Sequence, residues 1–406
     1  AALHNHNSPP AAPARLQRSR TRILVLGPPV QKPPDDATAS LAATAANLLT
    51  SSRLNLLLPA GAVAIAAEYA HLGDATVFCS ACLALLPLAG LLGTVTEQVA
   101  LQTSETIGGL LNATFGNATE LIVAAAALYR GLVSVVQVSL LGSILSNTLL
   151  VLGCACLAGG LLKPQPRFNA MVASANTTLI LIATLGLVVP AARERGDTPD
   201  ASTLRLSRGI SVALLLLYGL YLYFQLCTHA IIFEDPGGAG RASSFRRSIG
   251  GHLRRVEESL EEARGELGSD EAEDDEEEPF LSLRAALVCL LVVTVLIAVL
   301  SELLTGTLEA ATDSLGVPTS FLGFVVIPIV GNAAEHATAI VMAAKGKMDL
   351  ALGVALGSST QIALFVIPLM VLIGWACGQP MSLAFGLYPT IITFLSVLIV
   401  AHVVGD

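Results

Sequence analysis

Charge is scarce in this chain. Charged residues make up 13% of its 406 positions, against about 25% in soluble domains, and mean hydropathy is +0.70. That excludes an ordinary soluble domain. Basic surplus is also missing: the net charge is −9, so nothing points to nucleic acid as a partner. The acidity is local, because Glu257 to Glu278 holds thirteen acids and one base, Arg264. Seven cysteines (Cys79, Cys82, Cys154, Cys156, Cys227, Cys289, Cys377) all fall in apolar runs. Cys79 and Cys82 have no second pair or nearby His to complete a zinc set, so they read as small hydrophobes. No HExxH occurs, which removes the commonest intramembrane metalloprotease pattern.

Long apolar runs are abundant. Ten approach or exceed the ~20 residues that cross a bilayer: Leu54–Ala70, Thr76–Val99, Ile107–Tyr129, Val133–Leu162, Ala170–Ala191, Ile210–Phe233, Leu283–Leu304, Phe321–Ala344, Leu350–Trp375 and Met381–Val404. They are rich in Gly, Ala, Ser and Thr, which suits close helix packing in lipid, and they lack the ten-residue alternation of barrel strands. The expected fold is an all-α polytopic membrane protein. Ala/Pro/Ser-rich residues 1–53 read as a disordered cytosolic tail, since Ile23–Leu26 is too short for a signal sequence. Residues 234–282 read as a cytosolic linker with an acidic helix. Loop bases give a mixed vote on orientation: Lys163, Arg167, Lys345 and Lys347 favour a cytosolic N-terminus, whereas Arg193, Arg195, Arg205 and Arg208 oppose it.

Two runs carry an acid at mid-depth. Gly116-Asn117-Ala118-Thr119-Glu120 is nearly repeated as Gly331-Asn332-Ala333-Ala334-Glu335-His336, and each Glu is followed 22 positions later by Gly-Ser, at Gly142-Ser143 and Gly357-Ser358. Both motif pairs are offset by 215 residues, the mark of an internal repeat. Glu120 lies on the third run and Glu335 on the eighth. An odd separation makes the copies enter from opposite sides, which is inverted-topology architecture. The expected division is an extra first helix (54–70), a first repeat (76–233) and a second repeat (283–406) that lacks its fifth helix. A chain truncated after the tenth helix is the expectation.

An intramembrane carboxylate costs several kcal/mol unless partnered, so it marks a functional site by default. Glu120 and Glu335 brought together would supply two charges and up to four oxygens. Asn117 and Asn332, three residues earlier, share a helical face with them. Asn147 and Gln361 add amide oxygens; Ser143, Ser146, Ser358 and Ser359 add hydroxyls; Gly116 and Gly331 would let each helix loosen and expose carbonyls. Such an oxygen-rich set suits a hard divalent cation. Two adjacent buried carboxylates cannot both stay ionised without one, so the simplest balanced cycle trades a divalent ion for about two protons. His336 reads either as a further proton carrier or as a satisfied interhelical hydrogen bond. Glu97, Glu105 and Glu302 read as solvated helix ends, with a cation-funnel role as the sharper alternative.

The segments GNATELIVAAAAL, SLLGSILSNTLLVLG, PIVGNAAEHATAI and KMDLALGVALGSSTQIALF resemble the calcium/proton exchanger (CAX) family of the calcium/cation antiporter superfamily, over about Asn55 to Asp406. The resemblance implies eleven helices, residence in a vacuolar membrane, and Ca2+/H+ antiport, with Mn2+ or other divalents as further cargo. It implies no cofactor, and lipid, Ca2+ and H+ as partners, with a homo-oligomer left open. It makes Glu120 and Glu335 the cation- and proton-carrying acids, and sets Asn117, Asn332, Ser143, Ser146, Ser358 and Gln361 along the polar path. A sodium-coupled calcium exchanger and a passive divalent-cation channel are the rival readings.

Overall fold

The computed structural model describes residues 48–50, 52–162, 168–193, 199–229 and 279–405. The tail before residue 48, the acidic run and the loop bases Lys163, Arg167 and Arg195 lie outside them. Twelve helices carry the argument: α1 Pro59–Tyr69, α2 Asp74–Ala100, α3 Glu105–Phe115, α4 Ala118–Tyr129, α5 Val133–Leu161, α6 Ala170–Arg193, α7 Ala201–Thr228, α8 Leu283–Leu315, α9 Thr319–Gly331, α10 Ala333–Ala344, α11 Met348–Ala376 and α12 Leu387–Gly405. Among the described residues there is no strand. Among those residues seven helices are long and apolar enough to cross a membrane, and the bent pair α9–α10, taken as one span, makes an eighth.

The other two expected spans differ in form. The first run shortens to the eleven-residue α1, entered through a 3-10 turn at Arg53–Leu57. The third is broken into α3 and α4, because Asn117 (φ −108°, ψ 26°) leaves helical geometry right after Gly116. The eighth run breaks at the matching residue: Asn332 has φ −92° and ψ 8°, and the chain turns by 60° there. Neither Asn caps its helix with its own side chain, which leaves both amides for other partners. α5 and α11, which follow the broken pairs, each loosen into a π-helical turn, at Ser146–Val151 and Ile362–Val366. Such turns inside α-helices are frequent at functional sites.

Two apolar clusters hold the bundle. One joins Leu140 and Ile144 of α5, Leu356 and Ile367 of α11 and Ile180 of α6. The other joins Leu85 and Leu92 of α2 to Ile297, Leu304 and Leu308 of α8. The broken helices lie between them: Val123 and Val330 belong to the α2–α8 cluster, Ala124 and Ala339 to the other. Lipid offers no hydrophobic drive between helices, so close packing and hydrogen bonds must hold these layers together.

Crossing order fixes the two faces. The N–H groups of Phe280 and Leu281, at the end of the linker, donate to Gln98 Oε1 (2.9 and 3.3 Å). The C-terminal end of α2 and the N-terminal ends of α3, α8 and α11 therefore share the linker face. Arg130, Arg193, Trp375 and the start of α7 lie at the far face.

The last expected run needs correction. Met381–Val404 is not one helix: α12 begins at Leu387, and Met381 to Phe385 form a buried non-helical segment. Gln137 of α5 holds it, donating through Nε2 to the carbonyls of Ser382 and Ala384 (3.1 Å each), while Ser207 Oγ accepts from the Leu383 N–H (3.0 Å). Irregular backbone at such depth is tolerated only where protein satisfies it. Gln137→Leu leaves two buried carbonyls without their donor and is expected to cost about 1–3 kcal/mol, read as an earlier thermal unfolding transition in detergent. The sixth run also starts earlier than expected, at Ala201 behind the cap Asp200, which accepts from the Thr203 N–H (2.6 Å). Arg208 therefore lies on α7, stacked over Trp375 at 4.7 Å.

A candidate cation site at two broken helices

Both helix breaks face each other across the bundle centre. Glu120 and Glu335 sit in the first turns of α4 and α10. Glu120 is buried against the other break: a Cβ on Gly331 would lie 3.0 Å from its Oε1. Glu335, one turn after Gly331, lines a cavity of about 340 Å³ with Gly116, Gly331, Ser358, Gln361 and Glu97. This cavity involves the C-terminal half of α2, the end of α3 and the N-terminal half of α11, so it opens toward the linker face.

The amides and hydroxyls form one connected set. Asn117 Nδ2 donates to Gln361 Oε1 (2.6 Å), and Asn117 Oδ1 accepts from Ser358 Oγ (2.9 Å). Asn147 Nδ2 donates to the same Ser358 oxygen (3.0 Å). His336 Nε2 meets Asn147 Oδ1 (3.1 Å) and Ser146 Oγ (3.2 Å). Across the pseudo-symmetry, Asn332 Nδ2 donates to Ser143 Oγ (3.1 Å) and to the Pro328 carbonyl (3.0 Å). The contact between Asn117 and Ser358 thus has its mirror in the contact between Asn332 and Ser143, 215 residues on in one partner and 215 back in the other. Of the two roles open to His336, the geometry displays the interhelical hydrogen bond.

Among the described residues six buried side-chain polar atoms have no hydrogen-bond partner: Ser211 Oγ, Ser301 Oγ, Arg208 Nε and, at the breaks, the three oxygens Glu120 Oε2, Glu335 Oε2 and Asn332 Oδ1. Buried acceptors are nearly always satisfied, and these three belong to the matched motifs. No group of three or more His, Cys, Asp or Glu side chains gathers anywhere among the described residues. The donor set is two carboxylates with amides and hydroxyls, the chemistry of a hard cation. Ser359 stands apart, with its hydroxyl turned back to the Ala355 carbonyl (2.9 Å).

Several polar residues escaped the sequence reading. Asn176 of α6 accepts through Oδ1 from Tyr221 (3.0 Å) and from Thr360 (3.1 Å), the residue before Gln361. Asn176 is the lone amide of the Ala170–Ala191 run, and that isolation was its available signal. Glu97 does line the cavity. Glu302 is no free helix end, because it pairs with Arg130 at 2.6 Å. The Glu105 side chain lies outside the described residues.

Known proteins share this frame. The family model described as sodium/calcium exchanger protein matches residues 74–227 and 285–405. Vacuolar cation/proton exchanger 3 of Oryza sativa subsp. japonica is 43% identical over 364 residues, 88% of this chain and 81% of that protein. The Ca(2+)/H(+) antiporter of Synechocystis sp. is 42% identical over 350 residues, 85% and 88% of the two chains. The solved structure of native YfkE aligns with a TM-score of 0.68 at 32% identity, covering 87% of this chain and 92% of that one. The resemblance carried by the paired GNA-x-E motifs is borne out, and the chain belongs to the sodium/calcium exchanger protein family.

Proposed function

We propose that the protein is a secondary antiporter of an acidic vacuolar membrane that exchanges Ca2+ for H+, with Glu120 and Glu335 as the shared sites for cation and proton. The observation that carries this reading is the pair of buried carboxylates on matched broken helices, each with one oxygen unsatisfied. Two such groups bind a divalent cation or take protons, and the bare dianion is excluded by self-repulsion. Loading one species expels the other, which is coupling. Asn117 and Asn332 supply amide oxygens beside the acids, Ser143, Ser358 and Gln361 hold those amides in place, and Ser146 and Asn147 extend the polar path. Gly331 lets its break approach Glu120, and Gly116 lets the first break approach Gln361, whose Oε1 lies 3.6 Å from where a Cβ on Gly116 would sit. His336 fixes Asn147 and so the orientation of the Ser358–Asn117 chain. The names of the rice and Synechocystis relatives, which specify cation/proton and Ca2+/H+ exchange, support this choice of ions.

The cavity gives Glu335 access from the linker face. On the far side α5 closes against α9, where a Cβ on Gly142 would lie 2.1 Å from the Phe324 carbonyl oxygen. Transport then requires this seam to open as the cavity closes, the alternation expected of inverted repeats. With the linker face cytosolic, a proton gradient from an acid lumen drives Ca2+ inward to that lumen.

The test is Ca2+ uptake by the protein in acid-loaded vesicles. Uptake should require the pH gradient, collapse with a protonophore and ignore an imposed Na+ gradient. Uptake that persists without any gradient identifies a channel. Uptake driven by Na+ identifies the sodium-coupled alternative.

A further inference from the structure

An ion pair on the far face joins the site-bearing helix to the long helix beside it. Arg130 follows α4 as its C-terminal cap, ten residues and roughly 15 Å beyond Glu120 at 1.5 Å per residue. Its Nη2 lies 2.6 Å from Glu302 Oε1 of α8. The guanidinium also rests on α8 backbone: a Cβ on Gly306, one turn past Glu302, would lie 2.7 Å from Nη2 and 2.8 Å from Cζ. Any larger residue at 306 would displace the arginine, so helix α8 carries both the acid and the seat. Both side chains remain partly exposed, 38% for Arg130 and 49% for Glu302.

Repeat symmetry sharpens the point. The residues offset by 215 positions are Lys345 for Arg130, Pro87 for Glu302 and Leu91 for Gly306. The acid and the seat are both absent from the other half, so no equivalent pair can form there when the halves exchange conformations. An interaction available in one conformer only biases the equilibrium between the two.

We propose that Arg130 and Glu302 are positioning residues for the exchange reaction: their pairing across Gly306 latches the far face shut and holds the site open toward the linker face. An exposed pair is individually weak, which suits a latch that must release in every cycle. The inference rests on the alternating-access reading above, and its decisive readout requires no assumption about which ions move.

The reporter is Val138→Cys in a background with the seven native cysteines replaced. Val138 belongs to the closed far-side seam, its Cγ2 2.9 Å from where a Cβ on Gly323 would sit. The protein is placed in vesicles with the far face outward and treated with a membrane-impermeant maleimide. Arg130→Gln and Glu302→Gln are each expected to speed labelling about threefold to fivefold, the bias available from one exposed pair, and the double variant should label no faster than either single. Gly306→Leu keeps both charges but evicts the guanidinium, and should label like the charge variants. In uptake assays the KM for cation at the linker face should rise by a smaller factor, set by the fall in the linker-open population. A merely structural pair would change thermal stability and leave the labelling rate at the parental value. That result overturns the latch, and so does a double variant whose effects simply multiply. Failure of ion exchange with the labelling pattern intact would instead overturn the choice of ions and leave the latch standing.

Discussion

Glu120→Gln and Glu335→Gln should each bring Ca2+/H+ exchange down to background while the protein remains folded. Gln matches Glu in shape but cannot be ionised, so each substitution removes one of the two charges and one proton site. Removing one partner from a buried charge pair typically costs about 3–5 kcal/mol, which at 1.4 kcal/mol per tenfold is more than a hundredfold in cation affinity. The folded state should not suffer in the absence of Ca2+, because a neutral amide is easier to bury than a carboxylate. Unfolding in detergent separates the two effects. The parent should gain about 2.7 kcal/mol of stability at a Ca2+ concentration one hundred times Kd, and both variants should lose that gain with unchanged baseline stability. The double variant should be no more inactive than either single, since the two acids act as one unit. A single variant that retains a tenth or more of parental exchange would remove that acid from the mechanism. The substitutions also differ in kind: Glu335 lines the linker-face cavity, whereas Glu120 is packed on Gly331.

Much of this site was legible in the sequence because a membrane interior makes polar groups conspicuous. One acid in an apolar run of twenty residues announces itself, and a second at a fixed offset identifies its partner. Asn117 and Asn332 followed from helical spacing, Ser143 and Ser358 from the repeated offset, and the structure joins them pairwise. What escaped detection depends on contacts between distant elements. Periodicity cannot distinguish a helix from a buried extended segment when both are apolar, so Met381–Phe385 read as helix although Gln137 and Ser207 hold it open. Glu302 read as a helix end because the apolar stretch closes at Leu304, whereas α8 runs on to Leu315, and its partner Arg130 is remote in sequence. The break within Ile107–Tyr129 was foreshadowed by Gly116-Asn117, but hydropathy alone registers a continuous span there. Packing of the second repeat against the first likewise lies beyond any single-segment pattern.

A pair of single methyl groups should push the carrier in opposite directions. A Cβ on Gly142 would lie 2.1 Å from the Phe324 carbonyl oxygen, 2.8 Å from Pro328 Cγ and 3.0 Å from the Phe324 carbonyl carbon. Most of those atoms are backbone, so nothing can swing aside, and α5 must part from α9. Its repeat counterpart Gly357 meets nothing within 4 Å and borders the cavity. If the halves exchange conformations, Gly357 closes on α3 near Gly109, the residue 215 before Phe324, while Gly142 is released. Gly142→Ala should therefore destabilise the linker-open state, and Gly357→Ala the state open to the far face. Overpacking by one methyl costs about 1–3 kcal/mol, which is a 5- to 150-fold shift in population. Both variants should turn over slowly, because a carrier must visit both states. Their labelling of Val138→Cys from the far face should diverge, faster than parental for Gly142→Ala and slower for Gly357→Ala. Gly153→Ala, on the same helix with open space around it, serves as the neutral control. Placing both methyls in one chain handicaps both conformers, so labelling should return toward parental while turnover stays low. A Gly357→Ala variant that exchanges ions at the parental rate would mean that the far-open state never brings this glycine against α3, and that the two halves do not move as mirror images.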